Sequence, residues 1–197
     1  MYKGLNVVVV TGISGSGKDF LTREISRNFN SCLVVGASEK FMHYLEIGRS
    51  DFVNLDDSHK NFKFNEFILS ELENATSIES VRTVLIPMHL FYKNSYGKNI
   101  NVEGDWLTFV GTIVVIRVSE NLLHQRLKDT SKSEFERRKK LYGGFELDLF
   151  HKIVRSKQRR VEAEALRRAS YNPYPRIVEV VNNESVVISD ILDKINM

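Results

Sequence analysis

The sequence contains one cysteine and three prolines in 197 residues, and it has no long apolar run. Cys32 cannot form a disulfide within the chain, and its place at the head of an apolar segment favours a buried thiol without redox chemistry. No stretch approaches the roughly 18 apolar residues that a membrane span needs, and the first residues lack the apolar region of a secretion signal. We therefore expect a cytoplasmic protein with no membrane partner.

The composition is otherwise that of an ordinary globular domain. Hydrophobic residues make up 42% of the chain and charged residues 27%, and glycine and proline are too few for a low-complexity segment. A chain of this length can bury one complete core and is too short for two enzyme domains of ordinary size. We predict a single domain over residues 1–197. The sequence leaves the oligomeric state open.

Charge is distributed unevenly along the chain, although the formal net charge is only +3. From Arg117 to Arg168 there are 15 Lys and Arg against 8 Asp and Glu, so this segment is basic and the rest is acidic. Such a segment is a solvated helix surface, a phosphate-binding surface or a nucleic-acid contact. It carries no regular series of aromatic residues for base stacking, so nucleic acid is not the partner that we expect.

Five apolar segments alternate with segments of helical periodicity, which predicts a parallel α/β fold. The strongest are residues 5–10 and 112–118, unbroken runs that are typical of strands buried on both faces of a sheet. The other predicted strands cover residues 31–36, 81–89 and 176–181, and the predicted helices cover residues 17–29, 38–47, 58–73, 119–129, 145–169 and 183–195. Since right-handed crossovers place helices on both faces, we predict a three-layer sandwich around a five-stranded parallel sheet.

The first predicted strand leads into Gly12-Ile-Ser-Gly-Ser-Gly-Lys18, which matches the phosphate-loop pattern G-x-x-x-x-G-K. In this motif successive backbone N–H groups surround a phosphate, the next helix adds the positive end of its dipole, and the lysine reaches the β and γ oxygens. We therefore predict that Lys18 is catalytic and that the loop binds ATP. The predicted ATP-binding residues here are Ser14, Gly15, Ser16, Gly17, Lys18, Asp19 and Phe20.

The residue after Lys18 departs from the usual motif. It is Asp19, at a position where a serine or threonine hydroxyl normally helps to hold Mg²⁺. The carboxylate either binds the metal, directly or through water, or orients Lys18; the alternative is an acid that only stabilises the start of the helix. We take Asp19 as a candidate catalytic residue and metal ligand. The run from Lys18 to Phe20 resembles the phosphate loop of animal-type phosphomevalonate kinases, which implies that aspartate is compatible with phosphoryl transfer.

The order of elements, the glycine-rich start and the C-terminal half resemble the nucleoside monophosphate kinases, in particular the archaeal-type adenylate kinases. Residues 118–130 resemble the passage into that family's lid, and Arg126 matches the arginine that lies against the adenine. Residues 176–182 resemble the last strand, which implies that Asn182 borders ATP. The resemblance implies an ATP- and Mg²⁺-dependent kinase with a P-loop fold, an acceptor-binding insertion at about residues 37–76 and a helical lid at about residues 130–150.

The lid interpretation also has a physical basis. Phosphoryl transfer is catalysed mainly by positioning and by cations around a transition state of dispersed charge. Basic residues of the lid and of the following helix would have to converge on Lys18, and closure of the lid would exclude water. We select Lys132, Arg138 and Arg155 as candidate catalytic cations.

Two positions differ from the pattern of the family that the chain resembles. The third predicted strand ends in Pro87-Met88-His89 where that family has Asp-Thr-His, so Pro87 replaces a carboxylate that organises the metal. His89 matches the family's histidine. Residues 50–55 lack the arginine that follows the aspartate in the family's acceptor site.

These observations together predict transfer of the γ-phosphoryl group of Mg-ATP to a small acceptor, with a nucleoside monophosphate as the acceptor that we expect first. A phosphate acceptor needs no side-chain base, whereas an alcohol would need a carboxylate such as Asp19 or Asp57. The alternatives are a kinase for a non-nucleotide acceptor and a nucleotide-binding regulatory protein with an impaired catalytic centre.

Overall fold

A computed structural model of the chain describes residues 1–94, 96–144, 146–170 and 175–182 together with Ile195. The strands are β1 (Asn6–Gly12), β2 (Cys32–Val34), β3 (Thr83–Pro87), β4 (Phe91–Lys93), β5 (Asn99–Asn101), β6 (Val110–Arg117) and β7 (Arg176–Val181). The helices are α1 (Lys18–Asn28), α2 (Ala37–Tyr44), α3 (Arg49–Asn54), α4 (Asp57–Thr76), α5 (Glu120–Lys128), α6 (Lys132–Leu141) and α7 (Leu147–Ala169). A 3-10 helix covers Asp105–Phe109.

The central sheet has five parallel strands in the order β2-β3-β1-β6-β7. Strand β1 is therefore in the middle, with β3 on one side and β6 on the other. Because all five strands run in the same direction, the ends of β1, β3, β6 and β7 meet at one edge, and the segments that follow them lie close together. The predicted five-stranded parallel sheet is confirmed.

The residues of β1 alternate between the two faces of the sheet. Val7 and Val9 belong to the larger core cluster, which α4 and α7 complete, whereas Val8 and Val10 pack with Leu21 of α1 in the smaller one. All four valines are buried. The unbroken apolar run arises because both faces of this strand are covered by helices, which confirms the three-layer arrangement.

The segment between β3 and β6 differs from the prediction. Strands β4 and β5 form an antiparallel hairpin, and the 3-10 helix that follows buries Trp106 completely. From the sequence, the polar residues 92–99 are interpreted as either a substrate contact or a plain surface hairpin; the structure shows a hairpin, and a substrate contact by it stays a prediction. Each strand of the hairpin has only three residues, which is too short for a recognisable alternation.

Helix boundaries also differ in places. The predicted helix over residues 38–47 ends at Tyr44, and the separate short helix α3 follows it. The predicted closing helix over residues 183–195 lies outside the described residues except for Ile195. Within the described part of the chain, no helix has the length and apolar character to cross a membrane.

The hairpin is fastened to a helix on each side. On the α4 side, the Asp57 carboxylate accepts hydrogen bonds from the Tyr92 hydroxyl at 3.2 Å and from Asn94 Nδ2 at 2.9 Å. On the α7 side, Arg168 donates to the carbonyl oxygens of Leu90 and Val102, which flank the hairpin. The hairpin is thus held in a defined position beside the edge where the sheet strands end.

Candidate active site

The glycine-rich loop lies between the end of β1 and the start of α1, in the middle of the sheet edge. Gly15 and Gly17 have φ angles of 84° and 92°, in the left-handed region that favours glycine. Gly12 permits close packing, since a Cβ there would lie 2.5 Å from Ser16 Oγ and 2.8 Å from the Ile116 carbonyl oxygen. Helix α1 begins at Lys18, so the N–H groups of its first turn face the loop. This backbone has the form that can surround a phosphate.

Lys18 is buried, and its ammonium group lies between two polar side chains. Its Nζ is 3.3 Å from His89 Nε2 and 3.7 Å from Asp19 Oδ2. His89 follows β3, so this contact connects two neighbouring strand ends. Pro87 is buried within β3 opposite Val10 and forms part of the sheet. The side chain that contacts Lys18 from this strand end is therefore the imidazole of His89, which matches the family's histidine, and Pro87 supplies no carboxylate.

The β7 side of the loop is held by two of the predicted ATP-binding residues. Asn182 Nδ2 donates a hydrogen bond of 2.6 Å to the Ser16 carbonyl oxygen, and Arg126 Nη2 donates one of 3.3 Å to Asn182 Oδ1. A Cβ on Gly17 would collide with the Asn182 amide. The structure thus brings Arg126 and Asn182 against the phosphate loop, at the place from which they could contact a bound nucleotide.

The opposite side of the loop is held by a residue that the sequence analysis missed. Tyr142 directly follows α6, is almost completely buried, and donates a 2.6 Å hydrogen bond from its hydroxyl to the Ser14 carbonyl oxygen. Its ring packs against Phe150, with 5.3 Å between the ring centroids. The sequence contains one indication of this contact. Tyr142 is an isolated aromatic residue between a strongly basic helix and Gly143-Gly144, and a ring in such surroundings has to pack against another element.

The candidate lid cations are placed as follows. Lys132 and Arg138 belong to α6, but their side chains lie outside the described part of the structure. Arg155 Nε donates a 2.7 Å hydrogen bond to Glu120 Oε1, and the Arg155 side chain is 62% exposed. This hydrogen bond lowers the pKa of the Glu120 carboxyl group. Arg155 is thus engaged in a surface ion pair with α5, and its catalytic role stays a prediction.

Asp19 and Phe20 occupy the first turn of α1. Both are exposed, with the Asp19 carboxylate 65% accessible although it lies near Lys18. No group of three or more His, Cys, Asp or Glu side chains that could hold a metal occurs among the described residues. One accessible carboxylate beside the loop fits Mg²⁺, which commonly takes one or two protein carboxylates and completes its shell with phosphate oxygens and water. Asp19 is the carboxylate beside Lys18, and its role as a metal ligand stays a prediction.

The region expected to bind the acceptor contains α2, α3 and α4. Its aromatic residues Phe41, Phe64 and Phe67 are buried and pack on one another, with 5.0 Å between the ring centroids of Phe41 and Phe64. These rings form core structure. Asp57, the candidate base, accepts the two hydrogen bonds from the hairpin and lies 3.7 Å from Nζ of the buried Lys60.

A scan against models of protein families gave no match for the sequence, and neither did a search of curated proteins. The structure, in contrast, is similar to shikimate kinases. For the enzyme from Bacteroides thetaiotaomicron the TM-score is 0.60 at 16% identity, over 98% of this chain and 99% of that chain. For that from Acinetobacter baumannii in complex with shikimate it is 0.53 at 13% identity, over 99% and 93%. For that from Aquifex aeolicus it is 0.53 at 15% identity, over 96% of each chain.

At these identities the likeness concerns the fold. It confirms the predicted fold, a five-stranded parallel sheet between helices with a glycine-rich loop after the middle strand, and this is a fold that the shikimate kinases share. The more specific resemblances to adenylate kinases and to phosphomevalonate kinases stay predictions.

Proposed function

We propose that this protein is an ATP-dependent phosphotransferase that acts on a small acceptor. The observation that carries the proposal is the position of Lys18, buried at the start of α1 in a glycine loop whose carbonyl groups are held on both sides. ATP would supply the transferred γ-phosphoryl group, and Mg²⁺ would neutralise charge on its phosphates. The chain itself fixes the loop, directs the Lys18 ammonium towards the phosphates and presents Asp19 to the metal.

Each end of the site has its own task in this proposal. Arg126 and Asn182 border the nucleotide on the β7 side, and their hydrogen bonds to each other and to the loop keep that border in place. The lid segment from α6 to the start of α7 contributes further cations and excludes water during transfer. Lys132, Arg138 and Arg155 remain the proposed cations of that segment.

A nucleoside monophosphate is the first acceptor that we propose. Its phosphate oxygens are ionised at neutral pH and need no base. The state of Asp57 supports this choice, because its carboxylate already receives hydrogen bonds from Tyr92 and Asn94 and faces the Lys60 ammonium. A non-nucleotide hydroxyl acceptor is the second candidate, favoured by the likeness of the fold to shikimate kinases, one of which was solved in complex with shikimate.

The test is transfer of radiolabelled γ-phosphate from Mg-ATP to a panel of ribonucleoside and deoxyribonucleoside monophosphates and of hydroxy acids that includes shikimate. We expect turnover with one class of acceptor and a loss of at least about 100-fold in Lys18→Ala. Lys152→Ala, an exposed lysine on α7, is the matched control and should keep full activity.

Calorimetry of ATP binding separates the remaining outcomes. Binding of ATP without transfer to any acceptor would favour a nucleotide-binding regulatory protein. This alternative arises because Pro87 stands where the family that the chain resembles has a carboxylate. Absence of ATP binding in a folded wild-type protein would contradict the proposed function altogether.

A further inference from the structure

One face of α7 lies along the β4–β5 hairpin. Arg168 donates to the Leu90 carbonyl oxygen at 3.1 Å, and the Arg160 guanidinium lies 4.7 Å from the centroid of the Phe91 ring. Lys157 is three residues before Arg160 and therefore shares this helix face, one turn nearer to the phosphate loop. Along the hairpin, Lys93 is two residues after Phe91 and points to the same side of its strand.

Lys157 and Lys93 consequently belong to the facing sides of the junction between α7 and the hairpin. Burial lowers the pKa of the Lys157 ammonium group, and the positive charge of Lys93 lowers it further. No carboxylate contributes to this shift. Three other basic residues of α7 have acidic partners: Arg155 pairs with Glu120, and Arg167 and Arg168 pair with Glu164. Lys157 is half-buried and Lys93 is exposed, and neither has an acidic partner among the described residues, so two ammonium groups in this arrangement favour the binding of an anion.

Tyr142 connects this junction to the phosphate loop. The Lys157 Nζ lies 5.3 Å from the centroid of the Tyr142 ring, and the hydroxyl of the same ring donates to the Ser14 carbonyl oxygen at 2.6 Å. A cation over an aromatic face is attracted electrostatically by the ring. The ring thus fixes the Lys157 ammonium group beside the loop that would hold the donor phosphates.

The strand order separates the donor side of the loop from the acceptor side. Arg126 and Asn182, which would border the nucleotide, follow β6 and β7 on one side of β1. The hairpin with Lys93 follows β3 on the other side. An anion between Lys93 and Lys157 would therefore lie beyond the end of the loop, on the side where a phosphate acceptor must approach.

We propose that Lys93 and Lys157 bind an anionic group of the acceptor, a phosphate monoester or a carboxylate, and that Tyr142 positions Lys157 for this contact. This acceptor site rests on the proposed function. It narrows the class of acceptors to anions, because a neutral polyol would offer no negative charge to the two lysines. Lys157 then contacts substrate, whereas Tyr142 acts through Lys157 and through Ser14.

The first test is an NMR titration of protein with ¹³C-labelled lysines, saturated with Mg²⁺ and a non-hydrolysable ATP analogue so that the phosphate loop is occupied. Inorganic phosphate and acetate are added in separate titrations. We expect the ε-methylene resonances of Lys93 and Lys157 to shift saturably with at least one of the two anions. Response to phosphate alone assigns a phosphate ester, and response to acetate assigns a carboxylate. Absence of a response to both anions would overturn the site.

Variants test whether the two lysines act together. Lys157→Met and Lys93→Met should each weaken anion binding about tenfold or more, because each removes a charge-assisted contact. Lys152→Met, on an exposed side of α7, should leave it unchanged. Anion binding that is equally strong in all variants would overturn the proposal.

Kinetics with the acceptor found in the transfer assay give a second readout. Lys157→Met should raise the KM for that acceptor about tenfold and leave the affinity for ATP within about twofold. Tyr142→Phe retains the ring and should keep the acceptor KM near that of the wild type, whereas Tyr142→Leu should raise it. If the ATP analogue does not bind, the proposed function fails; if it binds and the lysine variants keep the wild-type KM, only the acceptor site is wrong.

Discussion

The Nζ atom of Lys18 lies 3.3 Å from Nε2 of His89. Lys18 is the first residue of α1 and His89 is the second residue after β3, so this contact connects the two elements. An ammonium group only donates hydrogen bonds, so Nε2 of His89 is the acceptor in this contact. The imidazole can thus orient the Lys18 ammonium group. The Asp19 carboxylate, whose Oδ2 lies 3.7 Å from Nζ, is the acidic side chain beside it.

Loss of this contact should reduce phosphoryl transfer more than nucleotide binding. We expect His89→Ala to lower kcat about tenfold, since a hydrogen bond to a charged group is worth about 1.5–3 kcal/mol, and to change the affinity for ATP little. His89→Gln should recover part of the activity because its amide oxygen can accept the same hydrogen bond. The measurements are kcat and the Kd for ATP, with the exposed His43→Ala as the control. Equal kcat in all three variants would show that the contact is dispensable.

Gly17 should tolerate no side chain, for a reason beyond its backbone angle. Gly17 and Gly97 both have positive φ, but a Cβ at Gly17 would collide with the Asn182 amide whereas Gly97 has no atom within 4 Å of that position. Both alanine variants should lose about 1 kcal/mol of stability from the strained backbone. Only Gly17→Ala should also lose ATP binding, because Asn182 must move. Thermal unfolding and calorimetry of ATP binding compare the two, and similar affinity in both would contradict the packing argument.

Much of this fold could be predicted because its patterns are local. Val7 to Val10 form an unbroken apolar run since both faces of β1 are covered, and the loop from Gly12 to Lys18 follows from its spacing. The resemblance placed Arg126 and Asn182 at one site, and the structure brings them into contact although they are 56 positions apart; their role at a nucleotide stays a prediction. Here the resemblance supplied long-range information that composition and periodicity lack.

The unpredicted part of the candidate site depends on contacts between distant elements. Tyr142 and Ser14 are 128 residues apart, and no periodicity connects them. The partners of the α7 cations could not be predicted for a related reason. Arg155 and Lys157 are two residues apart and point to different sides of the helix, so one meets Glu120 and the other meets Tyr142. The sequence shows that both residues are basic. Which of them has an acidic partner depends on how α7 packs against α5 and against Tyr142.

Arg126 and Asn182 should contribute to nucleotide binding as one unit. Asn182→Ala removes the donor to the Ser16 carbonyl oxygen and the acceptor for Arg126, and we expect ATP affinity to fall about tenfold. Arg126→Ala should also weaken binding. Since each residue holds the other, the double variant should lose less than the sum of the two single losses. Calorimetry of ATP binding in the four proteins measures this coupling, and strict additivity would mean that the two side chains act independently.

Arg168, which fixes α7 to the base of the hairpin, forms a buried ion pair with Glu164 of the same helix. Arg168 Nε lies 2.9 Å from Glu164 Oε1, and both side chains are more than 90% buried. Glu164 also accepts hydrogen bonds from Arg167 at 2.6 and 2.8 Å. Burial by itself would raise the pKa of Glu164, but the hydrogen bonds from the two arginines and their charges outweigh it, so the pKa is lowered. The carboxylate is therefore the form that the folded protein favours.

This pair should make stability depend on pH in the acidic range. A carboxyl group with a lower pKa in the folded than in the unfolded state stabilises the fold above its unfolded value of about 4.3, and this contribution disappears as pH falls through the folded pKa. Near pH 7, Glu164→Gln should cost about 3 kcal/mol because Arg168 loses its buried counter-charge. The difference from the wild type should shrink as pH falls below about 4. Urea unfolding from pH 7 to pH 3, with the exposed Glu79→Gln as control, measures it. A difference that stays constant to pH 3 would mean that lost packing, rather than lost charge, destabilises the variant.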